Sequence, residues 1–129
     1  MHTKKGRRRK METKHDLSIA VESWQGWHVI FLTGKFVIQS ISLVRKKLDE
    51  FEADQNPKVA VDMSGVTQID SSALTIVLNL QKRLRQKKGQ VVVIGPSDDV
   101  KETLYLVGFN MAVPIYPTRA MFEQSVAAK

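Results

Sequence analysis

The stretch Val59-Ala60-Val61-Asp62-Met63-Ser64-Gly65-Val66-Thr67-Gln68-Ile69-Asp70-Ser71-Ser72-Ala73-Leu74 decides how this chain folds. Its first three residues are an apolar run between Lys58 and Asp62, the pattern of a buried strand. The polar residues from Asp62 to Ser72 read as a loop carrying two carboxylates and three serines. Beyond it Ala73, Leu74, Val77, Leu78, Leu80 and Leu84 return at helical spacing, so a helix is expected to about Lys88. Asp70, Ser71 or Ser72 supplies its N-cap, since each can accept a hydrogen bond from a free helical N–H. Ser71 then stands where those donors and the positive end of the helix dipole converge, a place that favours added negative charge. Asp-Ser-Ser before an apolar run is equally the mark of an ordinary helix start.

Working outward, strands and helices alternate. Toward the C-terminus, Val91-Val92-Val93-Ile94 is a continuous apolar run bounded by Gly89 and Gly95-Pro96, which suits a strand covered on both faces. A third helix is expected over Asp99–Val107, then a short edge strand over Met111–Ile115, where Pro114 cannot donate to a ladder. A terminal amphipathic helix contains Ala120, Met121, Phe122 and Val126. Toward the N-terminus, Ile41, Val44, Leu48 and Phe51 form the buried stripe of a helix over Ser40–Ala53, and its charges read as a solvated face. Leu17, Ile19 and Val21 alternate with smaller or polar residues, and Gln25-Gly26 turns the chain into a second strand over Trp27–Thr33, ended by Gly34. Trp24 and Trp27 flank that turn and are expected to pack. The order is β-β-α-β-α-β-α-β-α, which implies an α/β domain with a mixed, mostly parallel sheet and about four helices.

The run from Val61 to Leu74 resembles the signature of the STAS domain family, in its anti-sigma-factor antagonist type. That signature reads Asp-x-Ser-x-Val-x-x-x-Asp-Ser-Ser/Thr-Gly-Leu, and only Ala73 departs from it, standing where the family has Gly. The resemblance implies a single STAS-like domain over residues 15–129, with Ser71 as the residue phosphorylated by a partner kinase. It also implies a partner-binding surface made of Asp62, Ser64, Asp70, Ser71, Ser72, Thr75, Asn79 and Lys82. After Gly34 the family often carries an acid; here Lys35-Phe36-Val37-Ile38 follows, and Phe36 and Val37 are expected to offer apolar surface instead.

Composition bounds the remaining possibilities. The chain has 129 residues, 43% of them hydrophobic, enough for one domain with a real core. There is no cysteine, so disulfides and thiolate metal sites are excluded. No apolar run is long enough to span a membrane, and a cytoplasmic protein is expected. Most of the net charge of +7 sits in residues 1–14, which hold Lys4, Lys5, Arg7, Arg8, Arg9, Lys10 and Lys14 against Glu12. This block reads as a disordered basic tail, with a nucleic-acid or anionic-lipid arm as the alternative; it has no aromatic residue to stack on bases.

No catalytic site is expected, because Ser71 has no histidine in its segment to activate it. Nor is a metal or cofactor: carboxylates beside a loop commonly cap and hydrogen-bond, and no phosphate-binding glycine motif is present. The function implied is therefore a phosphorylation-switched binding protein. Unmodified, it sequesters an anti-sigma-factor serine kinase; phosphorylated at Ser71, it releases that kinase, and a phosphatase reverses the state. A monomer is expected when free. The alternatives are a STAS subunit of an ABC-type lipid transporter, whose serine is not phosphorylated, and a nucleic-acid-binding module led by the tail.

Overall fold

A computed structural model describes residues 11–128 of the chain. In order they form β1 (Glu12–Lys14), β2 (Leu17–Trp24), β3 (Trp27–Phe36), α1 (Ile41–Phe51), β4 (Lys58–Ile69), α2 (Ser71–Gln86), β5 (Gln90–Ile94), α3 (Asp98–Leu106), β6 (Ile115–Tyr116) and α4 (Arg119–Ala127). Single 3-10 turns occupy Ile38–Ser40 and Phe109–Met111. All six strands lie in one sheet, in sequence order. The first three pair antiparallel, and the pairs from β3 to β6 are parallel. The expected α/β class and mixed, mostly parallel sheet are present.

Alternation along the central strands creates two cores. On one face Ile30, Leu32, Val59, Val61, Val91 and Val93 meet Val44 and Leu48 of α1, Leu80 and Leu84 of α2, and Leu104 of α3. On the other face Val29, Ala60, Val92 and Ile94 meet Phe122 of α4. Trp24 and Trp27 sit opposite one another across a two-residue turn, with Gln25 at φ 46° and Gly26 at φ 84° as a type I′ hairpin turn requires. Both indoles pack on Phe122, with ring centroids at 5.6 Å and 4.9 Å. Arg119 ties α4 to β2 by donating to Glu22 at 3.2 Å, and its guanidinium lies 5.4 Å from the Trp24 ring centroid.

Several expected boundaries move, each for a physical reason. The basic tail was expected over 1–14; residues 1–10 lie outside the described residues, whereas Glu12–Lys14 form β1 instead. This strand has no apolar alternation because it is an edge strand, held by main-chain pairing and by polar contacts such as Thr13 to Ser18 at 2.9 Å. The sheet therefore gains an N-terminal strand beyond the expected order. Gly34 does not end β3, which continues to Phe36. At φ +111° Gly34 adopts a conformation that side chains rarely tolerate, and a Cβ there would lie 2.1 Å from the Asp16 carbonyl oxygen. Phe36 and Val37 are buried core residues rather than apolar surface.

The expected loop from Asp62 is largely strand. Pairing of β3 with β4 continues through Gly34 with Val66 and Phe36 with Ile69, with register shifts between Phe31 and Thr33 and between Gly34 and Lys35. These irregularities let Met63 and Val66 both reach the α1–α2 core. Finally, Met111–Ile115 is not a strand: a 3-10 turn occupies Phe109–Met111, and the short β6 begins at Ile115, just after Pro114.

Candidate functional site

Asp70 is the pivot of the surface around the start of α2. Its backbone is extended, at φ −128° and ψ −179°, as an N-cap residue requires. One carboxylate oxygen accepts from the Ala73 N–H at 3.1 Å, and the other accepts from the Ile38 N–H at 2.9 Å. A single side chain thus caps α2 and fastens it to the 3-10 turn after β3. That turn is set by Ser40, which is fully buried and donates to the Lys35 carbonyl at 2.8 Å. Asp70→Ala removes the cap and leaves the Ile38 N–H without its acceptor. We expect a loss of roughly 1–3 kcal/mol, read as a lower urea midpoint with unchanged slope.

Ser71 is the first residue of α2 and is exposed. Its hydroxyl makes no hydrogen bond among the described residues, and neither does that of Ser72, which is half-buried. No acidic residue lies in the first turn of α2. Between α1 and α2 runs a groove of about 310 Å³ that Ser71, Ser72, Thr75 and Asn79 line from α2. Ile38, Ile41 and Arg45 line it from the other side. At its far end Arg83 clamps the two helices, donating to Glu52 at 2.9 Å and lying 4.0 Å from Asp49.

The structure divides the predicted partner-binding residues. Ser71, Ser72, Thr75 and Asn79 converge on the groove, with Asp70 behind them. Lys82 is exposed farther along α2 and does not line the groove. Asp62 and Ser64 belong elsewhere. Asp62 pairs in register with Phe31 and Ile94, residues of the α4-facing side, and is buried. Both the N–H and the hydroxyl of Ser64 donate to one Asp62 oxygen, at 2.9 Å and 2.6 Å. The two carboxylates of the motif therefore do not form an acid–base pair; each satisfies its own stretch of backbone.

No group of three or more His, Cys, Asp or Glu side chains suited to a metal occurs among the described residues. His28 is at the opposite end of β4 from Ser71, stacked on Phe51 at 4.3 Å and in contact with Asp54. His15 lines a separate cleft with Asp16, Lys35 and Asp70. Among the described residues no helix is long and apolar enough to cross a membrane. Ile38 and Arg45 are site residues that sequence reasoning missed. Ile38 is 57% exposed, an apolar residue in a polar setting, but its place beside Ser71 arises only when the turn docks on α2.

These features define an α/β domain whose distinctive surface is an exposed helix start beside a groove. Comparison with known proteins agrees. The family model of the STAS domain matches residues 18–121. The anti-sigma F factor antagonist of Paenibacillus polymyxa is 26% identical over 102 residues, covering 78% of this chain and 87% of that protein. The anti-sigma-B factor antagonist of Listeria monocytogenes is 23% identical over 101 residues, covering 78% and 89%. An anti-sigma-factor antagonist (STAS) domain protein from Planctomyces limnophilus has the same fold, with a TM-score of 0.74 at 20% identity over 85% of this chain and 96% of that one. The chain belongs to the STAS domain family.

Proposed function

We propose that this protein is an anti-sigma-factor antagonist whose binding is switched by phosphorylation of Ser71. Unmodified, it holds an anti-sigma-factor serine kinase against the α1–α2 groove and the start of α2, and so keeps that kinase from its sigma factor. Phosphorylation by the same kinase adds a charge of about −1.5 to −2 beside Asp70 and releases it. A phosphatase restores the binding form. The protein acts by binding and not as an enzyme.

One observation carries the choice of Ser71. Of the motif's three serines, Ser64 is bound to Asp62 and Ser72 is half-buried, while Ser71 is exposed and its hydroxyl has no partner among the described residues. Relatives named as anti-sigma F and anti-sigma-B factor antagonists support the partner class. The groove residues Thr75 and Asn79 supply donors and acceptors on the same side of α2.

Incubation with the cognate kinase and ATP, followed by phosphopeptide mapping, tests the switch. Phosphate is expected on Ser71. Ser71→Ala is expected to stay folded, since Asp70 is the cap, to bind the kinase, and to resist release by ATP. Ser71→Glu is expected to bind at least about tenfold more weakly, a difference of about 1.4 kcal/mol. Phosphate only on Ser64, Ser72 or Thr67 would move the acceptor. No phosphate at all, with Ser71→Glu binding as tightly as the unmodified chain, would overturn the switch and favour a transporter-subunit role.

A further inference from the structure

Arg45 is a groove cation that no carboxylate engages among the described residues. It projects from α1, is exposed, and lines the groove together with Ser71 and Thr75. The other cation of the groove, Arg83, is engaged by Glu52 and Asp49. Arg45 makes no hydrogen bond or ion pair among the described residues. Exposed arginines are commonly just solvated. Here, however, Asp49 is the sole acidic residue lining the groove among the described residues, and Arg83 already engages it. The groove thus presents an uncompensated guanidinium, the Thr75 hydroxyl and the Asn79 amide toward the space beside Ser71.

We propose that the groove is the receptor for the domain's own phosphoserine: phosphate on Ser71 is received by Arg45 across the gap between α1 and α2. This rests on Ser71 being the modified residue. Transfer from a nucleoside triphosphate forms the Ser71 Oγ–P bond, breaks the bond to the diphosphate leaving group and releases the hydroxyl proton. The dianion then accepts hydrogen bonds from the guanidinium fork, a geometry that arginine offers to phosphate in bidentate form. Release of a partner follows from occupation as well as repulsion. The phosphate fills the groove in which the partner would rest, and Arg45 retains it there.

The test needs no kinase. Phosphoserine is installed at position 71 of the full chain during translation, and the second ionisation of the phosphate is followed by ³¹P NMR at low salt. The free group titrates near pH ~6, and a facing cation lowers that midpoint. The charged groups around the phosphate are Arg45 and Asp49 on α1, Arg83 on α2 and Asp70 at the cap, with His15, Asp16 and Lys35 beyond the Ile38–Asp70 bond. Among the parent, Arg45→Gln and Arg45→Lys, only the side chain at position 45 differs. The midpoint of the parent is expected about 0.5 below that of Arg45→Gln, with Arg45→Lys between them. Lys82→Gln, which removes one charge outside the groove, is expected to leave the midpoint in place. Equal midpoints in the parent and Arg45→Gln, or as large a change in Lys82→Gln, would overturn the proposal. Because the phosphate is installed, a failure here is distinct from a failure of the kinase to modify Ser71.

Discussion

Phe122→Ala is expected to cost about 3–5 kcal/mol of folding free energy, as large-to-small aromatic changes in cores do. Phe122 is the one fully buried side chain that α4 contributes, and it touches Trp24, Trp27 and Tyr116. Its edge-to-face contact with Trp27 adds to simple burial. The α4-facing core is small, and Phe122 is its largest fully buried side chain. Because both tryptophans of the chain pack on this ring, intrinsic fluorescence reports the loss directly. A red-shifted native spectrum and a lower urea midpoint are expected. Met121→Ala, on the exposed side of the same helix, should stay within about 0.5 kcal/mol. A loss below about 1 kcal/mol for Phe122→Ala would mean that this ring does not close the second face.

Gly34→Ala is the other substitution with a large expected effect. The added methyl meets the Asp16 carbonyl oxygen head-on, at a backbone angle of φ +111°. That same carbonyl accepts from the Lys35 N–H at 2.9 Å, so β3 cannot shift without breaking the bond. His15 and Asp16 already hold left-handed angles of 49° and 66°, leaving the β1–β2 turn little room to yield. We expect more than about 2 kcal/mol of destabilisation. Amide exchange should accelerate first in β1 and around Lys35. A change within about 0.5 kcal/mol would show that the turn relaxes away from β3.

The parts of this domain that were legible in the sequence are those where burial dictates residue type. Val91–Ile94, covered on both faces, shows as an unbroken apolar run, and the apolar arc of α2 emerges from its spacing. The segment from Asp62 to Ile69 was illegible as strand because it pairs with β3 alone beyond Asp62, so polar residues such as Thr67 and Gln68 remain exposed in it. Polarity there records exposure and not irregular backbone. The start of α2 and the exposed serine were legible, because capping is a local rule. Which serines share a surface was not: Ser64 and Ser71 are close in sequence, and the extended strand carries them to different places. Arg45 looked like one charge among several on a solvated helix face. Its meeting with Ser71 depends on how α1 packs beside α2, a tertiary fact with no local signature.

The ends of the sheet have a consequence for how such domains diversify. One edge is the three-residue β1, with Glu12 and Lys14 in it; the other is the two-residue β6, preceded by Pro114. Strands this short, one carrying Glu12 and Lys14 and the other following Pro114, offer little main-chain template along their own length. A partner seated in the groove is read through side chains, and those can be exchanged while the scaffold stays intact. On the proposed function, two copies of this domain that differ at a few groove positions would hold different partners.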